Sequence, residues 1–74
     1  MIMKKISICG REVELDAKYL DLSNNELRSL PTEIGKLEKL EYLDLCQNKM
    51  PQTEIEKLKE FLPNCIIYND YEEN

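Results

Sequence analysis

One segment of the chain occurs twice. Tyr19-Leu20-Asp21-Leu22-Ser23-Asn24-Asn25-Glu26-Leu27 returns 23 residues later as Tyr42-Leu43-Asp44-Leu45-Cys46-Gln47-Asn48-Lys49-Met50, with five of the nine positions identical. A period of that size points to units that each bury their apolar side against the next. In both copies Leu alternates with Asp over Tyr-Leu-Asp-Leu, the period-two pattern of a short strand with one buried face. An Asn follows three residues after the second Leu. An Asn side chain both donates and accepts, so it suits a point where the chain turns away and leaves backbone groups unpaired. Asn25 and Asn48 are therefore expected to stack as an internal, structural ladder.

Between the copies, Leu30-Pro31-Thr32-Glu33-Ile34-Gly35-Lys36-Leu37 leads into Leu40 and Leu43, with apolar residues three or four apart. That spacing suits a turn or two of helix. Strand, turn and short helical return then make one unit, and the next strand lies parallel to the first. The second unit departs after Met50. Thr53-Glu54-Ile55-Glu56-Lys57-Leu58-Lys59-Glu60-Phe61-Leu62 reads as a full helix, with Thr53 and Glu56 in capping-box spacing. Ile55, Leu58, Phe61 and Leu62 share a face expected to be core, and Pro63-Asn64 ends the helix. Leu62-Pro63-Asn64-Cys65-Ile66-Ile67-Tyr68 then supplies a third strand. Counting the same 23 residues on from Leu43 and Leu45 turns Ile66 and Tyr68 inward.

The stretch from Leu27 to Leu45 resembles L-x-x-L-P-x-x-I-G-x-L-x-x-L-x-x-L-x-L, the repeat of intracellular leucine-rich repeat proteins, bacterial ones included. The likeness covers about residues 17–69. It implies an α/β fold in the form of a minimal, curved leucine-rich repeat solenoid. It also implies a protein-binding role, without naming a partner. The helix with its closing strand resembles the C-terminal end of small bacterial members, so a natural terminus is expected there.

At the other end Ile6-Ser7-Ile8 and Val13-Glu14-Leu15 both alternate around Cys9-Gly10-Arg11-Glu12, a hairpin signal. The expected organisation is a hairpin cap over 1–16, a first repeat over 17–39, a second repeat with its capping helix over 40–62, and a closing strand with an acidic tail over 63–74. Three widely separated cysteines, an odd number without a CxxC pair, read as reduced thiols. With neither a signal-peptide core nor an apolar run long enough to span a bilayer, a cytoplasmic protein is expected.

Composition narrows the function. The chain has no His, which removes the commonest general base and the usual zinc ligand beside Cys. Its net charge of −5 lacks the basic footprint of a nucleic-acid binder. Two glycines far apart make no phosphate-cradling loop. No enzyme, cofactor, metal, nucleic acid or membrane is expected. The expectation is a protein partner held on the concave strand face. That face would present Tyr19, Asp21, Ser23, Asn24 and Glu26 from one unit and Tyr42, Asp44, Cys46, Gln47 and Lys49 from the next, continued by Cys65, Ile67 and Asn69. Two alternatives stand beside it: weak self-association through the end strands, and an acidic inhibitor or accessory protein.

Overall fold

Strands β1 (Lys5–Ile8) and β2 (Arg11–Glu14) pair antiparallel, with Ile6 opposite Val13 and Ile8 opposite Arg11. Cys9 and Gly10 alone make the turn, at φ 52° and 82°. Positive φ at both central residues is what a two-residue hairpin with the twist of its strands requires, and Gly10 meets it without strain. The connection is thus tighter than the four residues expected, because Arg11 and Glu12 already belong to β2. In this computed structural model residues 4–71 are described. Met1-Ile2-Met3, and Glu72-Glu73-Asn74 of the expected acidic tail, lie outside the described residues.

The repeated Tyr-Leu-Asp segments form β3 (Tyr19–Asp21) and β4 (Tyr42–Asp44). They pair parallel with Tyr19 opposite Tyr42, Leu20 opposite Leu43 and Asp21 opposite Asp44. The return between them is a five-residue 3₁₀ turn, Thr32–Lys36, that buries Ile34. The second return is an α-helix, α1 (Gln52–Phe61), that buries Ile55 and Leu58. No side chain caps it. The Thr53–Glu56 capping box does not form, because the helix starts at Gln52 and Thr53 already lies in its first turn. The Pro51 carbonyl accepts the Glu54 and Ile55 amides there, at 3.0 and 3.3 Å. The Leu62 amide closes the last turn on the Leu58 carbonyl at 2.8 Å. Pro63, with no N–H, cannot continue it. Phe61 departs from the expected stripe: it is 51% exposed.

Strand β5 (Ile66–Tyr68) completes a sheet of order β3-β4-β5. Its register sets Ile66 opposite Tyr42, Ile67 opposite Leu43 and Tyr68 opposite Asp44. The third strand is therefore one residue later than a strict repeat would place it, and a one-residue slip exchanges the two faces of a strand. Ile67 is the buried residue, while Ile66 is 52% exposed. The expectation that Ile66 and Tyr68 turn inward, and that Cys65, Ile67 and Asn69 line the open face, is overturned. The cause is the second return, an α-helix where the first repeat has only a 3₁₀ turn.

One core serves all of these elements. Ile8 and Val13 of the hairpin join Leu20, Leu22, Ile34, Leu37, Leu40, Leu43, Leu45, Met50, Ile55, Leu58, Leu62 and Ile67 in a single buried cluster. The hairpin remains a sheet of its own, and neither sheet closes on itself. The fold is α/β with a short parallel sheet; three short strands do not by themselves define the curved solenoid that the repeat implied.

Candidate interaction surface

Alternation along three-residue strands leaves one face of the parallel sheet open. Its first row is Tyr19, Tyr42 and Ile66, and its second is Asp21, Asp44 and Tyr68. Tyr19 is 57% and Tyr42 39% exposed, although both are large and half apolar. The Tyr42 and Tyr68 rings stack across neighbouring strands, with centroids 6.4 Å apart and planes 14° from parallel. Ile66 and Tyr68 belong to this face, and the 23-residue count hid them. Asn69 could have revealed the slip: aligned 24 residues after Leu45 it needs two partners for a buried amide, and the local chain supplies both. It is 4% exposed, donates to the Ile67 carbonyl at 3.1 Å and accepts the Tyr71 amide at 2.9 Å.

Both aspartates have a second duty at the strand ends. Asp21 Oδ1 accepts the Ser23 amide at 2.9 Å and the Ser23 hydroxyl at 2.6 Å. Asp44 Oδ1 accepts the Cys46 amide at 3.0 Å. These are Asx-type turns, in which a short side chain satisfies the backbone two residues on. The Ser23 bonds hold the Asp21 carboxyl below its ordinary range, with a smaller pull from the Arg11 guanidinium. The Tyr19 phenol moves the other way. Partial desolvation raises it first, and the charges of Asp21 and Asp44 add to the rise.

The remaining expected site residues lie beyond the strands. Ser23 and Cys46 are half-buried in the turns, while Asn24, Glu26, Gln47 and Lys49 are exposed there. Asn24, Glu26 and Gln47 have left-handed backbones, at φ 60°, 54° and 59°. The amides of Asn24, Gln47 and Lys49 carry the stacking: Asn24 donates to the Cys46 carbonyl, Lys49 to the Leu27 carbonyl and Gln47 to Asp70 Oδ2. The ladder of asparagines is half realised. Asn48 is half-buried; its Oδ1 accepts the Asn25 and Leu27 amides at 2.9 Å, and its Nδ2 donates to the Leu22 and Leu45 carbonyls at 2.9 and 3.0 Å. Asn25 is exposed, and its side chain reaches only the Ser23 carbonyl, at 3.0 Å. It stands at the start of the stack, with no preceding turn to serve.

All three cysteines are free. Desolvation is the first cause that raises each thiol, and at Cys46 a bond to Asp44 and the charges of Asp44 and Asp70 raise it further. A thiol held protonated is a poor nucleophile. Among the described residues no His/Cys/Asp/Glu group of three or more is placed to hold a metal ion, and no helix is long and apolar enough to cross a membrane.

A family model described as leucine-rich repeats in two copies matches residues 18–64. The chain belongs to the leucine-rich repeat family. Leucine-rich repeats are generally protein-interaction modules, and the family is typically non-enzymatic. The matched span runs from just before β3 to just after α1, so it holds both Tyr-Leu-Asp strands of the open face. No curated protein and no solved structure matches the chain.

Proposed function

We propose that this leucine-rich repeat chain is a non-catalytic binding module that takes a protein partner on the open face of its parallel sheet. The observation that carries the reading is the exposed, in-register pair Tyr19 and Tyr42, extended by the stacked ring of Tyr68. Tyrosine combines a large apolar area with a polar tip, and few rotatable bonds are immobilised when it docks. Ser23, Asn24, Glu26, Cys46, Gln47 and Lys49 would form the polar rim on the turn side of that row. Under this reading 1–16 caps the first repeat, 17–39 and 40–62 are the repeats, and 63–74 closes the sheet. Free thiols in odd number support a reducing, cytoplasmic setting.

Self-association by end-strand pairing has less support. Residues 66 and 68 bond to β4, so the backbone of Ile67 faces outward, and its carbonyl already accepts a bond from the Asn69 side chain, through Nδ2. The test starts from a partner captured from the native cell and identified by mass spectrometry. Tyr42→Ala should weaken that partner's binding by ~2 kcal/mol or more while the thermal transition is kept. Phe61→Ala, on the helical side, should leave binding unchanged. A partner indifferent to Tyr19→Ala and Tyr42→Ala would remove the sheet face from consideration. Three short strands offer well under the ~800 Å² per partner of a standard interface, so affinity through this face alone should be on the order of micromolar.

A further inference from the structure

The sheet face sets like charges side by side. Asp21 lies directly opposite Asp44 on the neighbouring strand, and parallel strands run about 4.8 Å apart. Like charges placed opposite each other across a sheet are destabilising. Each aspartate needs only one oxygen, Oδ1, for its amide-accepting turn. The ion pairs Lys5–Glu12, at 4.0 Å, and Lys57–Glu54, at 3.5 Å, lie on the hairpin and on α1 and use neither of these carboxylates. The Arg11 guanidinium reaches this edge through the Asp21 carbonyl, at 2.6 Å. Asp70 adds a third carboxylate at the turn beyond β5. Beside these carboxylates stand the exposed Tyr19 and Tyr42, the second with one ring face stacked on Tyr68. A tyrosine face attracts a cation, and a carboxylate next to it supplies the charge-assisted hydrogen bond that a guanidinium takes in its plane.

We propose that the partner of this face is a basic, extended protein segment, whose arginine side chains lie over Tyr19, Tyr42 and Tyr68 and pair with the Asp21 and Asp44 carboxylates. The proposal rests on the reading of the sheet face as the binding surface and adds the chemistry of its occupant. A bound cation relieves the repulsion between the two aspartates.

The experiment titrates the 74-residue chain with short synthetic peptides of alternating Arg and Ser, Lys and Ser, Gln and Ser, and Glu and Ser, followed by NMR. The Arg peptide should bind, and its shifts should centre on the rings and amides of Tyr19, Tyr42 and Tyr68. The Lys peptide should bind more weakly, and the Gln and Glu peptides should not reach measurable occupancy. Asp21→Asn with Asp44→Asn keeps the turn-forming Oδ1 acceptors and should lower affinity for the Arg peptide about tenfold. Glu56→Gln with Glu60→Gln, on the exposed side of α1, removes the same formal charge and should change affinity less than about twofold. Equal losses in the two double variants would reduce the effect to net charge and overturn the proposal, as would equal binding of the Gln peptide or shifts away from the sheet. A natural partner that needs Tyr42 yet ignores Asp21→Asn with Asp44→Asn would overturn the basic segment alone. One that ignores Tyr42→Ala as well would remove the underlying surface.

Discussion

Asn25 and Asn48 occupy the same place in the repeat and have opposite energetic weight. Deleting the Asn48 amide leaves the amides of Asn25 and Leu27 and the carbonyls of Leu22 and Leu45 without their present partner. A half-buried backbone group left unpaired costs about 1–3 kcal/mol, so Asn48→Ala should cost ~2 kcal/mol or more. A chain this short rarely draws more than about 3–5 kcal/mol from its core, so the loss should be plain in the urea midpoint. Asn25→Ala removes one exposed bond and should stay within about 0.5 kcal/mol. Equal midpoints for the two variants would contradict the asymmetry. The role of the repeated Asn was legible in the sequence, since a polar residue at a fixed place after two buried leucines has a definable task. Its weight was not legible, because that depends on whether a preceding turn needs the bonds.

Among the elements, the two returns decide what the third strand shows. The 3₁₀ turn and α1 meet where Phe61 lies over Gly35. A Cβ on Gly35 would come 2.6 Å from Phe61 Cε2 and 3.0 Å from Cζ. The obstacle is the far end of a half-exposed ring, which can swing outward, so Gly35→Ala should cost only ~1 kcal/mol. In the Phe61→Ala background that cost should shrink by at least ~0.5 kcal/mol, a coupling that denaturation of the four proteins in the cycle would measure. Strict additivity would show that the ring and the glycine are not packed together. Glycine at this point was visible in the repeat pattern, but the aromatic contact that uses it joins residues 26 apart and follows no period. The third strand's register failed for a related reason. Hydrophobic alternation at Ile66-Ile67-Tyr68 is ambiguous, because all three residues are apolar enough to be buried. Only the length of α1 and the satisfied burial of Asn69 choose between the two faces.

Across the whole molecule the hairpin and the repeats share one interior, so damage at one end should reach the other. Val13 is 6% exposed and packs in the same cluster as Leu43 and Ile67. An unpaired carboxylate there costs several kcal/mol, a large part of what so small a domain has. Val13→Asp should therefore abolish the near-ultraviolet circular dichroism of the stacked Tyr42 and Tyr68 rings along with the far-ultraviolet signal. Survival of the tyrosine signal would make the hairpin an independent appendage. The family and its α/β sheet were legible because a repeat states its own long-range contacts; the joining of hairpin and repeats into one core was only suggested by alternation. The bond from Asn69 to the Ile67 carbonyl has a consequence at this scale. A strand arriving at the outer edge of β5 would have to share the Ile67 carbonyl with a side chain that already donates to it. Backbone pairing is indifferent to sequence, whereas contacts made through side chains depend on it. Associations of the second kind can be revised one substitution at a time.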